Sequence, residues 1–159
     1  MGPRPAISKL VSGGQTGVDR AALDVALRLG IPCGGWCPRG RRAEDGPIPA
    51  RYPLEETPDT AYPQRTEWNV RDSDATLVVH AGPPRGGTAL TLRLAGRQGK
   101  PVLRVDLDAQ PDPASLPEWI GRTGTRVLNV AGPRESESPG IGDRTARFLA
   151  AALGASHPR

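Results

Sequence analysis

Apolar residues in this chain come in short runs, set apart by stretches rich in Gly, Pro and charge, and two kinds of segment alternate. Ile7 to Val11, Ile31 to Trp36, Ala75 to His80, Pro101 to Val105 and Arg126 to Val130 are short and apolar, the pattern of strands in a covered parallel sheet. Between them lie segments with helical spacing. In Val18 to Leu29, for instance, Val18, Ala22, Val25 and Leu29 share one face, and Gly30 follows as a C-terminal stop. Gln64 to Arg71, Thr88 to Arg97 (with Leu90 and Leu94), Ala114 to Ile120 and Asp143 to Leu153 are the other predicted helices. This alternation predicts an α/β protein: a doubly wound parallel sheet with helices on both faces, in one domain over residues 1–159. Arg39 to Pro63 has no clear period, and loops of that length are usually functional or unstructured.

In such sheets a ligand sits beyond the carboxyl ends of the strands. Three Gly-rich loops fall at that end: Ser12 to Gly17, Gly82 to Thr88, and Ala131 to Gly142. Ser12-Gly13-Gly14-Gln15-Thr16-Gly17 runs from a strand into a helix, so its glycines can bring backbone N–H groups to an anion at the helix's positive end. Gly86-Gly87-Thr88, with Arg85 beside it, repeats that arrangement, and Arg134 lies in the third loop. The first turn fits neither the dinucleotide fingerprint nor the phosphate-binding P-loop. After the second strand, where a dinucleotide site places an acid for the ribose, stand Arg39, Arg41 and Arg42. NAD is therefore not expected. A small phosphate-bearing or otherwise anionic ligand is, with Ser12, Gly13, Gly14, Gln15, Thr16, Gly17, Arg39, Arg85, Gly86, Gly87, Thr88 and Arg134 as its candidate site and binding expected to fall on loss of Arg39 or Arg85.

Charge sharpens this only slightly. The net charge is +4, and all cationic side chains but Lys9 and Lys100 are Arg, whose fork suits oxyanions. No stretch reaches the ~20 apolar residues of a membrane span, and Met1 to Pro5 lacks the apolar region of a signal peptide, so no membrane partner and a cytoplasmic location are expected. Cys33 and Cys37 with His80 and His157 could make a zinc site only if all four met, so structural thiols and no metal are expected. Asp72 and Asp74 read as turn residues; Trp36, Trp68 and Trp119 as core or interface anchors; Tyr52 and Tyr62 as possible stacking partners for a heterocycle.

Several blocks carry a resemblance. Ser12 to Leu23, Gly35 to Gly46, Arg65 to Val70, Asp72-Ser73-Asp74, Gly86-Gly87-Thr88 and Asn129 to Ser136 resemble the family named "putative molybdenum carrier", over about Ile7 to Leu153. That family belongs to a wider group of Rossmann-like proteins, with the lysine-decarboxylase-like phosphoribohydrolases and the DNA-processing protein DprA. The resemblance implies a homo-oligomer, dimer or tetramer, that carries the molybdenum cofactor, a pterin with a phosphate and an oxo-metal head, or molybdate. Two alternatives stay open. The phosphoribohydrolases carry Gly-Gly-x-Gly-Thr-x-x-Glu; here Thr91 stands where the catalytic Glu would be, so no catalytic residue is assigned, although Glu44, Asp45 or Glu135 could replace it. DprA's Ser-Gly-x-x-x-Gly-x-Asp turn resembles Ser12 to Asp19, but aromatics are only 4% of the chain and no basic run exceeds Arg41-Arg42, so nucleic acid ranks last.

Overall fold

The structure, a computed structural model, describes residues 7–154; Met1 to Pro5 and His157 lie outside them. Five parallel strands form the main sheet: β1 (Lys9–Val11), β2 (Cys33–Gly34), β7 (Ala75–His80), β8 (Val102–Asp106) and β9 (Val127–Ala131). Their order is β2-β1-β9-β7-β8. The last strand thus sits in the middle, between β1 and β7. Counted from β9 as the first strand, the order reads 3-2-1-4-5, the order of a doubly wound parallel sheet.

Five α-helices cover the sheet: α1 (Val18–Leu29), α2 (Tyr62–Arg71), α3 (Gly86–Arg97), α4 (Ser115–Thr123) and α5 (Ile141–Gly154). They pack in two groups, α1 and α4 against α5, and α2 against α3. The α1/α5 side holds the larger core, where Leu10, Leu77, Val79, Leu128 and Val130 of the strands meet Val18, Leu23, Phe148 and Leu149. On the other side the apolar cluster is small: Val70, Leu94 and Ala95, with Leu90 and Val102 against them. There Thr76 and Asn129 are register partners on β7 and β9. Both are buried, and Asn129 Nδ2 donates to Thr76 Oγ1 at 3.3 Å. Aliphatic filling stops at this point of the sheet, and a polar cleft begins.

The predicted bounds of α1 and β7 match the structure, and the other helices shift by a few residues at their ends. The Ile31 to Trp36 strand does not stay whole. It splits at Gly35 (φ 126) into β2 and β3 (Trp36–Cys37), the latter pairing with β6 (Glu55–Glu56) in a separate two-stranded sheet. The bend is tight because a Cβ on Gly35 would lie 2.4 Å from Ser12 O. Asn69 fixes it by accepting from Trp36 N–H at 2.8 Å and donating to Trp36 O at 3.0 Å.

The aperiodic Arg39 to Pro63 stretch also has order. β4 (Arg42–Ala43) pairs antiparallel with β5 (Gly46–Pro47), and Arg41, at φ 54, donates to the carbonyls of Ile48, Pro49, Tyr52 and Leu54. One guanidinium replaces the periodic hydrogen bonds this stretch lacks.

Candidate functional site

At the carboxyl ends of β1, β9 and β7 lies a cleft of two communicating chambers that share Arg65, Thr66 and Gly87. The deep chamber, about 50 Å³, is floored by Gly13, Asp19, Asn69, Thr91 and Asn129. The outer one, about 340 Å³, is bounded by Gln15, Tyr62, Leu90, Arg93, Arg134 and Glu137. The deep chamber has room for several water-sized groups or one small oxyanion. The outer chamber falls in the usual range for a small-molecule site.

Arg65 is the central cation. It is only 8% exposed, and its Nη1 donates to Gly13 O at 2.8 Å and its Nε to Thr66 Oγ1 at 3.3 Å. Its Nη2 has no hydrogen-bond partner among the described residues. Burial lowers its pKa, opposed chiefly by Asp19. Asp19, 6% exposed, also lines the deep chamber. Burial pushes its carboxyl up to about 6, against the pull of Arg65, the Gln15 backbone, Arg20 and the Gly13 backbone. Gly13 lets the pair converge, because a Cβ there would lie 2.5 Å from Arg65 Nη1 and 2.9 Å from Asp19 Oδ2.

Helix α3 opens onto both chambers through Gly87. The N–H groups of Gly86 and Gly87 have no acceptor among the described residues, and no side chain caps this end. The α1 end is different. Gln15 Oε1 accepts from Thr16 N–H, Pro133 O accepts from Val18 N–H at 3.2 Å, and Thr16 Oγ1 bonds Glu44 while accepting from Glu135 N–H. A Cβ on Gly17 would meet Pro133 O at 2.4 Å. The protein itself caps α1.

The sequence-derived candidates therefore divide. Gly13, Gln15, Gly86, Gly87, Thr88 and Arg134 line the cleft. Ser12, fully buried, donates its hydroxyl to Val130 O at 2.6 Å and ties β1 to β9. Gly14 O accepts from Arg20, and Thr16 and Gly17 hold the 133–136 loop. Arg39 and Arg85 are exposed and line neither chamber, Arg41 is engaged by loop carbonyls, and Arg42 donates to Thr60 O. Tyr62 stands at the cleft between Arg42 and Arg65, each guanidinium 5.2 Å from its ring. Tyr52 instead is buried and donates to Asp24.

Arg65, Asp19, Asn69 and Asn129 are absent from the sequence-derived site. One signal was available: Arg65 and Asn69 are spaced i, i+4, and the inward face of α2 comprises Arg65, Asn69 and Val70. A helix that buries Arg and Asn is lining something polar.

The other titratable candidates are tied elsewhere. Asp45 pairs with Arg20, Glu135 accepts from the N–H groups of Gly140 and Gly142, and Glu44 bonds Thr16 and Ser136. Asp72 accepts from Trp36 Nε1 and Asp74 from the N–H groups of Arg126 and Val127. Burial pushes both free thiols, Cys33 and Cys37, up, and His80 Nδ1 bonds Gly82 O.

A parallel doubly wound sheet with a polar cleft at its switch point defines a Rossmann-like ligand-binding protein. Residues 10–153 match the profile described as the Circularly permutated YpsA SLOG family, and the chain belongs to that family. The central position of β9, the last strand in the chain, is what a permuted doubly wound sheet would show. A crystal structure of the protein named "Putative molybdenum carrier protein" from Syntrophus aciditrophicus SB is similar, with 47% identity and a TM-score of 0.90 over 94% of this chain and 96% of that one. No curated protein matches.

Proposed function

We propose that the protein binds and carries a small anionic ligand in this cleft, and that the ligand is the molybdenum cofactor, an oxomolybdate or a related phosphate-bearing, nucleotide-like compound. The observation that carries this reading is Arg65, a buried guanidinium with an open Nη2, set opposite the uncapped end of α3. Buried cations normally have their donors satisfied, so open ones in a cavity call for an anionic guest. Arg65, Arg93 and Arg134 line the cleft against Asp19 and Glu137, and Arg134 already pairs with Glu137 at 2.9 Å. The name of the Syntrophus protein supports the choice of ligand.

The residues present fit such a cofactor in kind. Gly86, Gly87 and Arg65 would hold its oxyanion, and Tyr62 and Leu90 offer flanks to a flat heterocycle. Bound, the cofactor would supply redox chemistry; the chain's residues would bind and orient it. Mass spectrometry and metal analysis of freshly isolated protein test the reading, and a pterin or molybdenum should co-purify. A bound adenine nucleotide without metal would narrow the ligand to the nucleotide-like kind, and no bound anion of any of these kinds would overturn the reading.

The hydrolase alternative is supported less. Glu44, Asp45 and Glu135, the candidates to replace the carboxylate missing at Thr91, are all held by other groups and line neither chamber. Asp19 is the carboxylate that lines the same chamber as Thr91. AMP should release no adenine; release at an enzymatic rate, lost in Asp19→Asn, would favour the hydrolase.

A further inference from the structure

Asp19 is an odd neighbour for an anion. It lies in the deep chamber with Arg65, nearly out of water, and the two converge on the bare face of Gly13. An oxyanion that enters the deep chamber to reach Arg65 shares about 50 Å³ with this carboxylate. Few other charges are free to compensate. From α1, Arg20 faces Asp19 but is bound by Asp45 at 2.5 Å and by Gly14 O. Arg93 of α3 belongs to the outer chamber, and Arg134, after β9, is paired with Glu137. Asn69 and Asn129, from α2 and β9, are neutral. Two negative groups would therefore share one guanidinium, an arrangement that low-dielectric surroundings penalise heavily.

We propose that the cleft takes up its oxyanion together with one proton, held between the anion and the Asp19 carboxyl. This rests on the anion-binding reading above and adds a selection rule to it. With the proton in place, the carboxyl O–H donates to the anion and repulsion becomes a hydrogen bond. An oxyanion that is already part-protonated near neutrality, such as inorganic phosphate or a phosphate monoester, brings the proton with it. One that is not, such as sulfate, has to draw it from solvent. Asp19 already titrates close to the range where this exchange occurs, since burial holds its carboxyl above the usual carboxylate range.

The experiment is calorimetric titration of the whole protein with sulfate, whose own charge is constant over the range. It is run at several pH values, and in two buffers with different ionisation heats, so that the protons taken up per ion are counted. The expected results are an uptake approaching one proton and a Kd that weakens about tenfold per pH unit above the titration of Asp19. Phosphate should bind more tightly than sulfate at about pH 7, by about tenfold. In Asp19→Asn the amide donates whatever the pH, so sulfate binding should lose its slope and exceed wild type at about pH 8. Should that variant not fold, the wild-type proton count decides alone. Sulfate binding with no proton uptake and a flat pH profile would overturn the inference and leave the anion site standing. If neither anion bound at any pH, the anion site itself would fall, and this inference with it.

Discussion

After β1 the chain runs through Gly13-Gly14-Gln15-Thr16-Gly17 into α1; α3 itself opens with Gly86-Gly87-Thr88, directly after Arg85. Both are Gly-rich turns that lead into a helix at the carboxyl edge of the sheet, and both present the first N–H groups of a helix. At α1 the protein supplies backbone acceptors, Pro133 O for Val18 N–H and Gln15 O for Arg20 N–H, and the loop after β9 packs against Gly17. At α3 the N–H groups of Gly86 and Gly87 have no acceptor among the described residues, and both glycines line the cleft. The same residue types thus do two jobs. One turn is a joint between β1, α1 and the 133–136 loop, and it offers the site only Gly13, Gln15 and Asp19. The other is an open end. What separates them is whether a distant loop arrives to cap the helix.

The comparison breaks most sharply on stability. Gly17→Ala places a methyl 2.4 Å from Pro133 O at φ 78, and should destabilise the fold by about 3–4 kcal/mol in urea denaturation. Gly87→Ala meets nothing within 4 Å, so its stability should hold or rise by up to about 1 kcal/mol while anion affinity falls. Equal losses at both positions would mean that the two turns are alike after all.

Asp19 gives the capped turn a pH signature. Its carboxyl titrates at about 6 in the folded protein and about 3.9 in an unfolded chain, so between these values the native state holds a proton that the unfolded state has lost. This group's contribution is fully present below about pH 4 and disappears as pH rises through about 6, a change of about 3 kcal/mol. Unfolding free energies from denaturation across that range should fall in wild type by this amount more than in Asp19→Asn. Identical slopes would place Asp19 in ordinary solvent.

Binding sharpens the comparison next. Arg65→Met should weaken molybdate or phosphate binding by about ten- to a hundredfold, roughly 1.5–3 kcal/mol for a lost charge-assisted contact, with near-unchanged circular dichroism as the control for folding. The smallest effect concerns the arginines that the linear pattern favoured. Arg39→Ala and Arg85→Ala should change affinity less than about twofold, because neither side chain lines the cleft and exposed charges at a distance are screened. A tenfold loss at either would place that arginine on the ligand and return the site to the sequence-derived set.

Elements with a local code were readable along the chain. The i, i+3/i+4 face of Val18 to Leu29 and the unbroken apolar run of Ala75 to His80 each fix their element within a dozen residues, because periodicity and burial are properties of a short window. The three Gly-rich loops at one edge of a parallel sheet also followed from the alternation of strand and helix. Local pattern could not say which of these loops stays open, which arginine is buried beside it, or that the titratable residue is Asp19. Arg65 reaches Gly13 O from 52 positions away, and Glu135 N–H reaches Thr16 Oγ1 from 119. Those encounters depend on α2 packing against α3 and β3 and on β9 entering between β1 and β7. A guanidinium's partners are set by whatever the fold brings within about 3 Å, and a one-dimensional pattern contains no such distance.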